Sequence, residues 1–256
     1  MTHQPPRDTG PVTSAARLSR AEKYAFARQS VISQLRELPA AVKVALRLGS
    51  DECALALQAG PPRSDLARRA TELAEEVYGP VLLHHCLRCW YIGDLFAQLE
   101  KRRHDPELLY IACLLHDIGL TDQYRPTAKD APCFAVHGGE ATRTALRAWG
   151  ADDNLANTVA EAIAAHLDVT APPENGIESY LLHAAARLDV VGARLSHLPR
   201  SLLREVHTRH PRAAFPSTLS RALAHEARKR PDSRIAVLWH TGIRIPIALN
   251  PARSLT

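Results

Sequence analysis

Between Leu66 and Leu198 apolar side chains recur every three or four residues, interrupted by glycine, proline and short polar clusters. That spacing belongs to helices that bury one face, and no strand-turn-strand alternation competes with it. From Leu18 to Leu48 the pattern predicts a helix ending at Gly49. The stretch QAGPPRSD (58–65) reads as a linker, with Ser64 or Asp65 capping a helix over Leu66–Tyr78 that stops at Gly79. Pro80 then starts a helix through PVLLHHCLRCWYIGDLFAQLEKR. In HDPELLYIACLLHDIG, Asp105 is the expected N-cap, Pro106 the first residue, and Gly119 follows a helix over 106–118. GGEATRTALRAWG, DDNLANTVAEAIAAHL and IESYLLHAAARLDVVGARLSHL predict three more. After Pro199 prolines break the pattern, leaving one helix around Leu219–Lys229, and RIAVLWHTGIRIPIAL reads as extended, a short strand pair. The expected architecture is all-α: a flexible tail over 1–17, a helical arm over 18–60, and a helical bundle with a C-terminal extension over 61–256.

Composition narrows the class. The chain has 256 residues and 46% hydrophobic content, enough for a core and too much for global disorder. No apolar run approaches the eighteen or so residues of a membrane span, and the N-terminal stretch lacks the apolar segment of a secretory signal. The five cysteines (Cys53, Cys86, Cys89, Cys113, Cys133) form an odd set read as free thiols, which implies a reducing, cytoplasmic setting. Cys86 and Cys89 form a C-x-x-C without a second pair, so packing on one helical face is the simpler reading. A net charge of +5 permits nucleic-acid contact, but aromatics at 5% are not interleaved with the scattered arginines. No nucleic-acid partner and no membrane is expected; the partners are a small-molecule substrate and, through the N-terminal arm, a second copy of the chain.

One short run carries chemistry. LLHDIGL (114–120) sets His116 beside Asp117 within an apolar stretch, where an unpaired carboxylate would cost several kcal/mol if buried. Either the pair faces solvent at a helix end or a divalent cation compensates it. Its companions favour the cation: His85 with Arg88 one turn later, His137, His166 and Asp189, each on a separate expected helix or its end.

This order, His, His-Asp, His, His, Asp, resembles the HD-domain superfamily. PPRSDLARRATELAEEVYGPVLLHHCLRCWYIGDLF, DPELLYIACLLHDIGLT, AIAAHLD and LDVVGARL together look like its cyanamide hydratase-like branch, as do RHPRAAF and the basic run before RPDS. The similarity covers about residues 64 to 250 and implies an all-α HD-domain bundle. It also implies that His85, His116, Asp117 and Asp189 hold the metal and that Arg88 pairs structurally with a carboxylate. His166 would line the pocket, facing substrate or binding a second ion. Two positions depart from the branch: His84 stands where asparagine is common, and His137 stands where an acidic residue is expected. His137 and His166 therefore either take a second ion or serve as proton carriers and substrate donors.

A cation held this way acidifies bound water from a pKa of 15.7 towards about 7. The branch resemblance implies water addition to a nitrile-like carbon, cyanamide to urea being the pattern, with a pocket histidine or carboxylate shuttling the proton. Zinc is the expected divalent metal, with iron (one or two ions) or manganese as alternatives. The segment 121–136 is long for a helix connection, so Tyr124, Arg125 and Phe134 are candidate substrate contacts, against a plain surface loop. A nucleotide phosphohydrolase, a diiron oxygenase and a ligand sensor without turnover are the competing functions.

Overall fold

The computed structural model describes residues 17–45, 55–128 and 131–255. These form α1 (Arg20–Ala45), α2 (Asp65–Val77), α3 (Pro80–Leu99), α4 (Pro106–Leu115), α5 (Phe134–Ala148) and α6 (Asp153–Ala165). They continue with α7 (Ile177–Val191), α8 (Arg200–Arg209), α9 (Phe215–Lys229), α10 (Arg234–His240) and α11 (Arg244–Leu249), joined by short 3-10 turns. No strand occurs among the described residues.

The centre of the bundle is α3, packed on α4 and α7, while α6 lies against α4, α5 and α7. α3 buries residues on every side, from His85 through Ala97, as a central helix must. α4 is equally enclosed, with Leu108 through Leu115 all buried. α2 contributes Ala67, Ala70 and Ala74, a stripe of small side chains that allows a close approach to α4. The expected punctuation holds at several ends. Ser64 accepts a hydrogen bond from the Ala67 amide, Asp105 accepts from Glu107 and Leu108, and Pro80 and Pro106 open their helices.

Five readings are corrected. After Pro199, where the sequence predicts one helix around Leu219–Lys229, the chain forms α8 over Arg200–Arg209 as well as α9, which starts at Phe215. α4 stops at Leu115, so His116 caps it and Asp117 opens a 3-10 turn over Ile118–Leu120, rather than both lying inside a helix to 118. α7 stops at Val191, where Gly192 adopts φ +77° and turns the chain, so LSHL forms a separate 3-10 turn. α5 begins at Phe134, taking in residues read as loop. RIAVLWHTGIRIPIAL is helical. Ser233 caps α10 through the Ala236 amide, Ile235, Ala236 and Val237 are buried in succession, and Gly242 at φ +92° separates α10 from α11. Its branched residues suggest extension, but no strand among the described residues could pair with it, and helix satisfies its backbone internally.

The helix expected over 18–48 is present as α1, with residues 46–54 outside those described. α1 does not stand apart from the bundle. It packs on α10 and on the 3-10 turn Leu195–His197. The Leu18 amide bonds the Asp232 carbonyl at 2.8 Å, Arg17 and Lys23 pair with the Asp232 carboxylate, and Arg187 donates to Ser33 Oγ at 2.9 Å. No helix among the described residues is long and apolar enough to cross a membrane.

Candidate metal centre

His85 sits on α3, His116 at the end of α4, Asp117 in the turn that follows, and His166 at the end of α6. All four are between 1 and 6% exposed. Ending α4 at Leu115 turns Asp117 back towards the imidazoles. The turn is held tightly against the start of α5, because a Cβ on Gly119 would lie 2.2 Å from the Phe134 carbonyl oxygen.

Each imidazole is oriented from behind. His116 Nδ1 donates to the Cys113 carbonyl at 2.7 Å and His166 Nδ1 to the Ile163 carbonyl at 2.6 Å. His85 Nδ1 donates to the Asp189 carboxylate at 2.6 Å. A carbonyl can only accept, and the Asp189 carboxylate is held ionised, so the ring proton resides on Nδ1 in all three. The three Nε2 atoms are thereby left as bare acceptors. His85 Nε2 and His116 Nε2 face each other at 3.2 Å, with Asp117 Oδ2 3.6 and 3.5 Å away. His166 Nε2 lies 3.8 Å from Asp117 Oδ1. Lone pairs and a carboxylate converging away from water repel one another unless a cation lies among them. The residues present therefore fit a divalent metal, with nitrogen and oxygen donors suited to zinc and its neighbours.

Among the described residues, His116, Asp117 and His166 bring ligand atoms within 4.8 Å of one another, as do His85, Cys89 and His116. The Cys89 thiol lies 3.7 Å from His85 Nδ1 and 3.8 Å from its Nε2. Burial first, then the Asp189 charge, pushes its pKa well above the ordinary range and keeps it protonated.

Asp189, expected to touch the metal, is placed differently. Its carboxylate takes a bidentate pair from Arg88, Nε to Oδ1 at 2.9 Å and Nη2 to Oδ2 at 2.8 Å, besides the bond from His85. Arg212 Nε approaches Oδ1 at 3.3 Å, and its Nη2 donates to the Asp189 carbonyl. Burial works against the Asp189 charge, but Arg88 and then Arg212 outweigh it and hold the carboxyl well below its usual range. Arg88 is completely buried, and its Nη1 also bonds the Pro211 carbonyl at 2.9 Å.

His137 does not join the converging donors. It is half-buried on α5, where burial and then Arg230 lower its pKa. Tyr124 packs against the main core instead, and Arg125 pairs with Asp122 at 2.7 Å beside a separate shallow cavity. Phe134 alone of the three loop candidates lines the cavity over the centre, its ring 5.8 Å from that of His166.

Several residues with no assigned role also shape the centre. Phe215 stacks on His85 at 4.4 Å between ring centroids, Arg212 supports Asp189, and Asn250 Nδ2 donates to the Asp189 carbonyl at 2.9 Å. Arg212 and Phe215 lie in RHPRAAF, so their signal was present in the sequence without a partner to give it meaning. Ser30, Ser33 and Gln34 of α1 line the cavity too, which no pattern within α1 foretold.

The family model for the HD domain matches residues 82–191, the span from α3 to the end of α7. Over that span the chain is similar to HD domains. Two curated relatives are the cyanamide hydratases DDI2 and DDI3 of Saccharomyces cerevisiae, each 29% identical over 174 residues. Those alignments cover 67% of this chain and 76% of each relative.

Proposed function

We propose that this protein is a metal-dependent hydratase that adds water across the carbon–nitrogen multiple bond of a small nitrile-like substrate. The observation that carries the reading is the convergence of three imidazole Nε2 atoms and the Asp117 carboxylate, with every Nδ1 committed elsewhere. His85, His116 and Asp117 would hold the ion, zinc being the best match to two nitrogens and a carboxylate oxygen with a position left open. When bound, it supplies a water acidified to about pKa 7 and polarises the substrate nitrogen. His166, fixed by Ile163, presents Nε2 to accept a proton and return it to the product nitrogen. Asp189 fixes the tautomer of His85 and neutralises the buried Arg88.

The cavity favours this reading over nucleotide hydrolysis. It offers about 100 Å³, and its lining arginine, Arg187, is committed to Ser33 and to the Val169 carbonyl. A nucleotide needs several hundred Å³ and cations aimed at phosphate. The position of His137 outside the converging donors favours one ion over two, and with it hydration over diiron oxygenation.

The test combines metal analysis with turnover. Wild-type protein should carry about one divalent ion per chain and convert cyanamide to urea. His116→Ala and Asp117→Ala should lose the ion and melt roughly 10 °C lower, because a tightly bound ion stabilises the folded state by about 4 kcal/mol. Wild-type occupancy in both variants, or two irons per chain, would overturn the proposal.

A further inference from the structure

One strip of the cavity wall differs in character from the rest. The cavity opens on His85, His116, Asp117 and His166, and most of its remaining surface is apolar, Leu219, Leu223, Ile235 and Leu238 included. The exception comes from α1, where Ser30, Ser33 and Gln34 share one helical face and border the same space. The other polar side chains of the wall are engaged by protein. Asp168 pairs with Arg234, and Arg187 donates to Ser33 Oγ at 2.9 Å and to the Val169 carbonyl at 3.4 Å.

The α1 strip keeps unused capacity. Gln34 donates through Nε2 to Ser30 Oγ at 3.3 Å, and its carbonyl Oε1 has no hydrogen-bond partner among the described residues. Ser33 Oγ accepts from Arg187 and retains a second lone pair. Since roughly 150 Å³ holds the six carbons of benzene, the space of about 100 Å³ admits about four heavy atoms, a three-atom nitrile and one water. In so small a space, a ligand whose nitrile faces the converging donors has its other end against the remaining wall. α1 is the part of that wall with hydrogen-bonding capacity to spare.

We propose that Gln34 is a specificity-determining residue, selecting a nitrile whose carbon bears an amino group over one whose carbon bears a methyl. The inference rests on the hydration reading above and names the part of the substrate that α1 reads. An amino group donates two hydrogen bonds, which Gln34 Oε1 and the spare lone pair of Ser33 accept. A methyl group of the same size leaves both unpaired. The amino group is not consumed: the oxygen of one water bonds to the nitrile carbon, and its two hydrogens end on the former nitrile nitrogen. α1 precedes residues 82–191, so this recognition comes from outside the span similar to HD domains.

The experiment uses the metal-loaded full chain. Hydration of cyanamide is compared with that of acetonitrile, which carries methyl in place of the amino group, and NMR titration follows binding of urea and acetamide, the two products. Each variant is read against wild type on the same ligand, so the intrinsic reactivities of the two nitriles cancel. Gln34→Met, similar in volume but without the acceptor, should raise KM for cyanamide about tenfold with kcat little changed, the loss expected for one buried hydrogen bond made equally in ground and transition states. Acetonitrile kinetics should not move. Urea affinity should fall in parallel, and acetamide affinity should stay constant. Gln34→Glu, which keeps an acceptor, should retain the preference, and both variants should keep the metal content of wild type. Equal losses on both nitriles, or no change on either, overturn this inference and leave hydration standing. Absence of turnover in the wild type, with urea preferred to acetamide only while residue 34 is an acceptor, overturns hydration and supports the α1 contact. Neither turnover nor a preference for urea overturns both.

Discussion

Asp189 shows how much a single carboxylate can organise. Its neighbours are two buried arginines and the Nδ1 proton of His85, so it acts on the centre through the imidazole it orients. Removing a carboxylate that supports a ligand histidine typically costs 10–100-fold in metal affinity, whereas removing a ligand abolishes binding at ordinary concentrations. Asp189→Asn should therefore bind metal about 10–100-fold more weakly yet still load when metal is in excess, and Asp117→Asn should not load. The variant should also melt lower, because Arg88 loses its counter-charge, a loss of about 3–5 kcal/mol for a broken buried pair. Titration with metal below each melting temperature, followed by equilibrium dialysis, measures the difference. Equally complete loss in both variants would place Asp189 in direct coordination.

At the scale of elements, the sequence and the structure part most clearly over α1. Its own pattern describes a packing helix, and the fold seats that helix across the cavity, with Ser33 bonded to Arg187 and its start tied to Asp232. Arg17 and Lys23 hold the Asp232 carboxyl below its ordinary pKa, Lys23 being the stronger influence. These contacts lie at the surface, where an ion pair is individually weak, so loosening should be local. Asp232→Ala should speed tryptic cleavage at Lys23 and Arg28 a few-fold and raise KM, with metal content unchanged. Timed proteolysis read by mass spectrometry checks this; unchanged cleavage would mean that the contacts that remain, the Leu18 amide and Ser33 bonds among them, suffice to hold α1.

The molecule as a whole carries a histidine load that sets its response to acid. Burial, then Arg187, lowers His183 to about 4, and His207 and His210 are likewise lowered to about 4, burial first in each case. These groups bind protons more readily in the unfolded chain, where their pKa is about 6.5. Their contribution is therefore intact above pH 6.5 and is lost as pH falls through the folded value. For His183, the drop from 6.5 to about 4 corresponds to an upper bound of about 3 kcal/mol. Denaturant unfolding between pH 7 and pH 4 should show stability falling steadily. His183→Gln, which keeps a donor for the Asp168 carbonyl, should flatten that slope. A slope identical to wild type would show that His183 titrates normally.

Much of this protein is legible from the linear chain because the interactions concerned are local. Ser64, Asp105, Pro80 and Pro106 mark helix starts through bonds or dihedrals within one turn, and the three-four spacing marks the buried faces. The family likeness carried by LLHDIGL and its companion histidines is legible for the same reason: residue type and order survive without geometry. Where the chain folds back on itself, that reading ends. The extended-looking segment 234–249 is helical because burial against α9 and internal hydrogen bonding outweigh the preference of its branched residues. Asp189 faces Arg88 and Arg212 because α3 and the turn before α9 meet there, a juxtaposition spanning 101 residues in one case and 23 in the other. His137 lies apart from His166 although order alone sets them as equals, since the two occupy different helices whose packing directs only one towards Asp117. The apolar cavity is the sharpest instance: its walls come from α1, α7, α9 and α10, and burial by distant segments is a property that no local pattern contains.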